Sequence, residues 1–153
     1  MLYFAYGSNL WKRGMSRRCP QARAVSAARL PGYRLVFRGY ADLRPDAENI
    51  VFGALWRLTP ACLRALDSYE NAPRLYRRSD VTVLTDDGAL TAFTYFMNAD
   101  AVRRGDAATP DPAYYGEIAR GYNDWKLDPA PLRRARFAAA PEPRARRASG
   151  AEG

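Results

Sequence analysis

The first apolar run, Leu2–Tyr6, is short, rich in aromatics and stopped by Gly7-Ser8-Asn9. That pattern predicts a strand running into a turn. Leu10 to about Cys19 predicts a short helix closed by Pro20, and Tyr33–Phe37 a second strand behind Pro31-Gly32. Arg38–Asn49 carries Gly39, Pro45 and several polar residues and is read as a loop. Ile50–Arg57 is apolar on both faces, which predicts a central strand. Gly53 inside it marks a bulge or a close approach of backbone. Thr59-Pro60 combines an N-cap residue with proline at the first helical position, so a helix is expected from there to about Tyr69–Glu70. Asp80–Leu84 and Ala89–Met97 read as a hairpin turned at Asp86-Asp87-Gly88. Asp111-Pro112 starts a last helix, to about Arg120, with Gly121 as its stop and Tyr115, Ile118, Ala119 and Tyr122 as its packing face.

The strands lie too close together in sequence for βαβ units throughout, so the class is α+β: a small, mixed, partly closed β-barrel or curved sheet with flanking helices. The chain has 153 residues, 48% of them hydrophobic, enough for one globular domain with its own core. That domain is expected over residues 1–128. Residues 129–153 are expected to form a basic, flexible tail, because they are rich in Ala, Pro and Gly and contain Arg133, Arg134, Arg136, Arg144, Arg146 and Arg147.

The net charge of +8 invites a nucleic-acid reading. The tail from Ala130 sets six arginines against two glutamates, a net +4 and half of the excess, and such an end is more often solvated than recognitive. The two cysteines, Cys19 and Cys62, form neither a CxxC pair nor a disulfide framework, which suits a reducing compartment. No stretch approaches the roughly 18 apolar residues of a membrane span. The expectation is a soluble, cytoplasmic protein, monomeric or homodimeric, without a membrane partner.

Histidine is absent. Ser-His-Asp and Cys-His triads are thereby excluded, as are HExxH zinc sites. Proton transfer near neutral pH then falls to a carboxylate, Tyr, Lys or Cys with a displaced pKa.

Two places could carry it. In Tyr6-Gly7-Ser8-Asn9-Leu10 a turn leaves a strand, Gly7 admits a ligand close to the backbone, and successive N–H groups can cradle an anion. The same residues are also ordinary turn chemistry. Leu63, Leu66 and Glu70 share one helical face, so Glu70 extends an apolar stripe at the helix C-terminus. Desolvation and the helix dipole both disfavour its charge and raise its pKa. A surface glutamate, paired with Arg74, Arg77 or Arg78, is the plainer alternative, and Asp67 is a competing base. Tyr76 and Tyr95 lie on strands, where they serve either a pocket or simply the core.

Taken together these residues resemble the γ-glutamylcyclotransferase-like proteins, the group that includes the AIG2-like proteins. Tyr3-Phe4-Ala5-Tyr6-Gly7-Ser8-Asn9-Leu10 is similar to their opening motif, and Leu66-Asp67-Ser68-Tyr69-Glu70 to their second. Gly53-Ala54-Leu55-Trp56-Arg57-Leu58-Thr59, Leu75-Tyr76-Arg77-Arg78 and Thr94-Tyr95-Phe96-Met97 also fit, so the likeness spans about residues 1–125. The glutathione-degrading branch usually has Gly-Ser-Leu where this chain has Gly7-Ser8-Asn9, which points outside that branch. Asn71 stands where the family usually has Gly; asparagine is the next residue most tolerant of a left-handed conformation.

The resemblance implies a barrel with a cavity between the first turn and Glu70. It also implies conversion of a γ-glutamyl amine or γ-glutamyl amino acid to 5-oxoproline and a free amine, without cofactor or metal. Glu70 would be the acid/base, and Tyr6, Gly7, Ser8, Asn9 and Leu10, with Tyr76 and Tyr95, would bind the substrate. Two other readings stand beside it: a non-catalytic module binding a small acidic ligand on the same fold, and nucleic-acid binding through the Arg-rich tail.

Overall fold

The computed structural model describes residues 1–102 and 108–139. Its centre is a closed, five-stranded barrel: β1 (Leu2–Ala5), β2 (Arg23–Arg38), β3 (Tyr40–Arg57), β4 (Tyr76–Thr85) and β5 (Gly88–Met97), in the order β1-β3-β2-β4-β5. Four helices flank it: α1 (Lys12–Arg18), α2 (Pro60–Tyr69), α3 (Pro112–Asp124) and α4 (Ala130–Ala139). The expected mixed barrel with flanking helices is therefore the observed fold. All strand pairs are antiparallel except β1 with β5, which meet in parallel at Tyr3 and Phe93.

Several elements follow from the residues that bound them. Thr59 caps α2, its Oγ1 accepting from the Cys62 N–H at 3.2 Å, and Pro60 opens the helix. Asp111 does the same for α3 through Ala113 and Tyr114. Gly53 marks a close approach: a Cβ there would run into the Ala5 carbonyl and the Phe4 ring of the neighbouring strand. Phe4, Leu55 and Leu66 are fully buried, so β1, β3 and α2 share one core. Burying each such side chain contributes roughly 1.5–3 kcal/mol.

Three expectations are corrected. The stretch 38–49 is not a loop. Residues 40–45 pair with 33–38 around Gly39, which turns at φ +77°, and the strand then bulges at 46–49 before resuming against Leu30 and Pro31. Pro45 is tolerated because it is exposed, opposite Tyr33. Helix α3 does not stop at Gly121 but runs through it, since Gly121 lies against Leu10 where any Cβ would collide. The segment expected as a flexible tail contributes α4, which buries Leu132, Ala135 and Ala139 at helical spacing while Arg133, Arg134 and Arg136 stay exposed. The rest of that tail, with Arg144, Arg146 and Arg147, lies outside the described residues. Among the described residues no helix is long and apolar enough to cross a membrane.

Candidate functional site

The Tyr6–Leu10 turn leaves β1 as a single 3-10 turn, Ser8–Leu10. Two tryptophans clamp it. Trp56 Nε1 donates to the Asn9 carbonyl at 3.1 Å and Trp125 Nε1 to the Leu10 carbonyl at 2.8 Å, with the two indoles edge to face at 5.5 Å. Leu10 N–H closes the turn on the Gly7 carbonyl, while the N–H groups of Ser8 and Asn9 reach no acceptor among the described residues. The turn is thus rigid and keeps backbone donors in reserve.

Glu70 ends α2 as its C-cap, and the chain leaves through Asn71 at φ +51°. That is the left-handed conformation the sequence suggested for a position usually held by glycine. Turn and helix end meet across the strands: Asn9 Nδ2 donates to Glu70 Oε1 at 3.0 Å and to the Tyr3 hydroxyl at 3.0 Å. Burial pushes the Glu70 carboxyl up to about 7; the nearby Arg18 charge and the Asn9 hydrogen bond pull it back only in part.

Around this pair lies a cavity of about 20 Å³, lined by Tyr3, Tyr6, Gly7, Ser8, Asn9, Ala41, Glu70, Tyr76, Tyr95 and Tyr114. The tyrosine hydroxyls are tied into the frame. Tyr6 donates to the Tyr95 carbonyl at 2.6 Å, Tyr76 to the Ala41 carbonyl at 2.6 Å, and Tyr95 to Asp67 Oδ1 at 2.7 Å. The Tyr114 hydroxyl accepts from the Ala41 N–H at 3.1 Å. Burial raises the pKa of Tyr3, Tyr6, Tyr76, Tyr95 and Tyr114, so all stay neutral. These residues form walls, Tyr6, Tyr76 and Tyr95 as donors and Tyr3 and Tyr114 as acceptors, and are not bases.

Beside the turn, Ser8 Oγ and the Tyr69 hydroxyl are hydrogen-bonded at 3.0 Å, and Arg18 both donates to that hydroxyl at 3.0 Å and stacks over its ring at 4.0 Å. A positive charge is thereby held near Glu70 without touching it.

Of the residues singled out in the sequence, Tyr6, Gly7, Ser8, Asn9, Glu70, Tyr76 and Tyr95 converge on one cavity. Leu10 does not line it: its side chain is fully buried against Gly121 of α3, so it anchors the turn. Asp67, the competing base, is engaged by Tyr95 and by Arg78 at 3.2 Å. Tyr3, Ala41 and Tyr114 were missed. Tyr114 had one signal: it falls off the packing face of α3 that Tyr115 and Ile118 define. Among the described residues no group of three or more His, Cys, Asp or Glu side chains is arranged to hold a metal ion.

Known proteins bear on this geometry. A family model described as gamma-glutamyl cyclotransferase, AIG2-like, matches residues 3–126. The gamma-glutamylcyclotransferase of Bos taurus is 31% identical over 134 residues, 78% of this chain and 69% of that one. A solved gamma-glutamyl cyclotransferase superposes with a TM-score of 0.77 at 25% identity, covering 94% of this chain and 90% of its own. A solved, uncharacterised protein of Homo sapiens superposes with 0.74 at 29% identity, covering 93% and 88%.

Proposed function

Because this chain belongs to the gamma-glutamyl cyclotransferase, AIG2-like family, we propose that it converts a γ-glutamyl amine or γ-glutamyl amino acid to 5-oxoproline and a free amine, with Glu70 as the acid/base. The observation that carries this is Glu70 itself: a carboxyl raised to about 7 by burial, lining a small cavity beside a turn whose Ser8 and Asn9 N–H groups meet no acceptor among the described residues.

The chemistry follows from those parts. Ionised Glu70 takes a proton from the substrate's α-ammonium. The freed amine nitrogen attacks the substrate's own γ-carbonyl carbon, closing a five-membered ring and placing negative charge on the former carbonyl oxygen. Collapse breaks the bond to the leaving amine, whose nitrogen takes the proton back from Glu70; the ring nitrogen then gives up its second proton, through the again-ionised carboxylate, to the released amine, so the products are the neutral lactam and an ammonium ion. The nucleophile belongs to the substrate, so no histidine-activated side chain is needed. Attack within one molecule draws much of its rate from holding a near-attack geometry. A group with a pKa near the working pH exchanges protons efficiently in both directions. The N–H groups of Ser8 and Asn9 are suited to the α-carboxylate, an acceptor-only group. No oxidant, reductant or cofactor takes part in this balance.

The test is 5-oxoproline release from a panel of γ-glutamyl amines and γ-glutamyl amino acids, with wild type and Glu70→Gln side by side. Release by wild type and its loss in the variant support both the reaction and the base. No release from any member by folded protein overturns the reading in favour of ligand binding without turnover.

A further inference from the structure

Asn9 is 2% exposed and spends both of its amide N–H bonds inside the protein, one on Tyr3 and one on Glu70. An ionised carboxylate only accepts, so the nitrogen of the amide is the end that faces Glu70. The other end, Oδ1, is buried and has no hydrogen-bond partner among the described residues. Asn9 lines the cavity. A buried acceptor left empty is costly, and native proteins rarely leave one without a use.

Resting on the reaction proposed above, we propose that Asn9 Oδ1 receives an N–H of the substrate's α-ammonium, so that one amide group holds both the proton donor and the proton acceptor of the first step. The resemblance implied that Asn9 would bind the substrate, whose α-carbon carries both a carboxylate and an ammonium. Chemistry separates the two: a carboxylate offers no donor to Oδ1, whereas an ammonium offers three. The backbone N–H groups of the turn then take the carboxylate, and the side-chain oxygen takes the amine.

The consequence for catalysis is orientation. An amide oxygen can hold an N–H but cannot occupy the nitrogen lone pair. Once Glu70 has removed its proton, the amine remains fixed by a bond that leaves its lone pair free to meet the γ-carbonyl. Nδ2 meanwhile keeps Glu70 in place at 3.0 Å. The Asn9 carbonyl held by Trp56 belongs to the backbone, so replacing the side chain leaves that clamp intact.

The test uses two ligands that differ only in the α-amine: γ-N-propyl-L-glutamine and its desamino counterpart, N-propylglutaramic acid. Binding is measured by calorimetry to full-length Glu70→Gln, chosen because removing the carboxylate is expected to stop turnover, and to the Asn9→Ala/Glu70→Gln double variant. We expect Glu70→Gln to prefer the amine-bearing ligand by about 10- to 100-fold, and the double variant to show less than about a threefold preference. An equal preference in both proteins, or none in either, overturns the inference while leaving the cyclotransferase reading standing if wild type releases 5-oxoproline. Binding of neither ligand, with no 5-oxoproline from wild type, overturns both. If the alanine variant does not fold, Asn9→Ser replaces it: its short hydroxyl cannot reach where Oδ1 lies, and the same collapse of preference is expected.

Discussion

Oδ1 of Asp67 accepts the Tyr95 hydroxyl at 2.7 Å and sits 3.2 Å from Nε of Arg78. One turn further along the same helix end, Glu70 Oε1 has Asn9 as its only hydrogen-bond donor among the described residues. Two carboxyls three positions apart therefore have different occupations: Asp67 braces a cavity wall, and Glu70 is left able to move a proton.

That difference predicts different losses. Glu70→Gln should lower kcat by about 10²- to 10⁴-fold, the usual worth of a positioned acid/base. Asp67→Asn keeps an acceptor for Tyr95 but discards the charge opposite Arg78, and should reduce activity far less. Equal losses in steady-state assays would show that Asp67, not Glu70 alone, handles the proton.

The activity should depend on pH with a defined sign. Glu70 must be ionised to act as a base, so kcat/KM should fall on the acid side of about 7. Arg18 favours the ionised form. Arg18→Gln should therefore move that acid limb to higher pH, and a profile that stays in place would remove Arg18 from the electrostatics of the site.

The same carboxyl links pH to stability. Its folded pKa of about 7 lies above its ordinary 4.5, so its contribution is fully present below 4.5 and is lost as pH rises through 7. Above 7 the ionised side chain costs about 3 kcal/mol relative to its protonated state. Denaturant melts should find Glu70→Gln more stable than wild type at pH 8 by up to about that amount, and level with it near pH 4.5. A difference independent of pH would contradict the raised pKa.

Three glycines should separate folding from function. A Cβ at Gly53 meets the Ala5 carbonyl and the Phe4 ring, and one at Gly121 meets Leu10 and the backbone of Trp11. Gly53→Ala and Gly121→Ala should each cost about 1–3 kcal/mol of stability by overpacking. A Cβ at Gly7 finds only Ala41 Cβ at 3.4 Å and the Tyr114 hydroxyl at 3.7 Å, both on the cavity wall. Gly7→Ala should melt near wild type yet bind substrate poorly, and Gly7→Val more so. Loss of soluble Gly7→Ala protein would make that glycine structural.

The turn and the base were legible in the sequence because each is local. A strand stopped by Gly7-Ser8-Asn9 and a glutamate continuing the Leu63–Leu66 stripe need only periodicity to be found. Tyr114 and Ala41 were not legible, since nothing short-range links α3 to the β2–β3 hairpin; closure of the barrel brings them together. Residues 38–49 misled because Gly39 and Pro45 are strand breakers in general, whereas here one makes the turn of a hairpin and the other sits on an exposed position. In α4 the arginines drew attention away from Leu132, Ala135 and Ala139, whose spacing is the true signal. The unpaired oxygen of Asn9 belongs to no pattern at all, because it depends on where the other end of the same amide is spent.

A cavity of about 20 Å³ has room for about one water molecule. Ala41 borders that space with both ends of its own backbone: its carbonyl accepts the Tyr76 hydroxyl at 2.6 Å and its N–H donates to the Tyr114 hydroxyl at 3.1 Å. One residue of the β2–β3 hairpin thus ties a strand, β4, and a helix, α3, to the same point, so that a displacement of the hairpin would carry both walls with it.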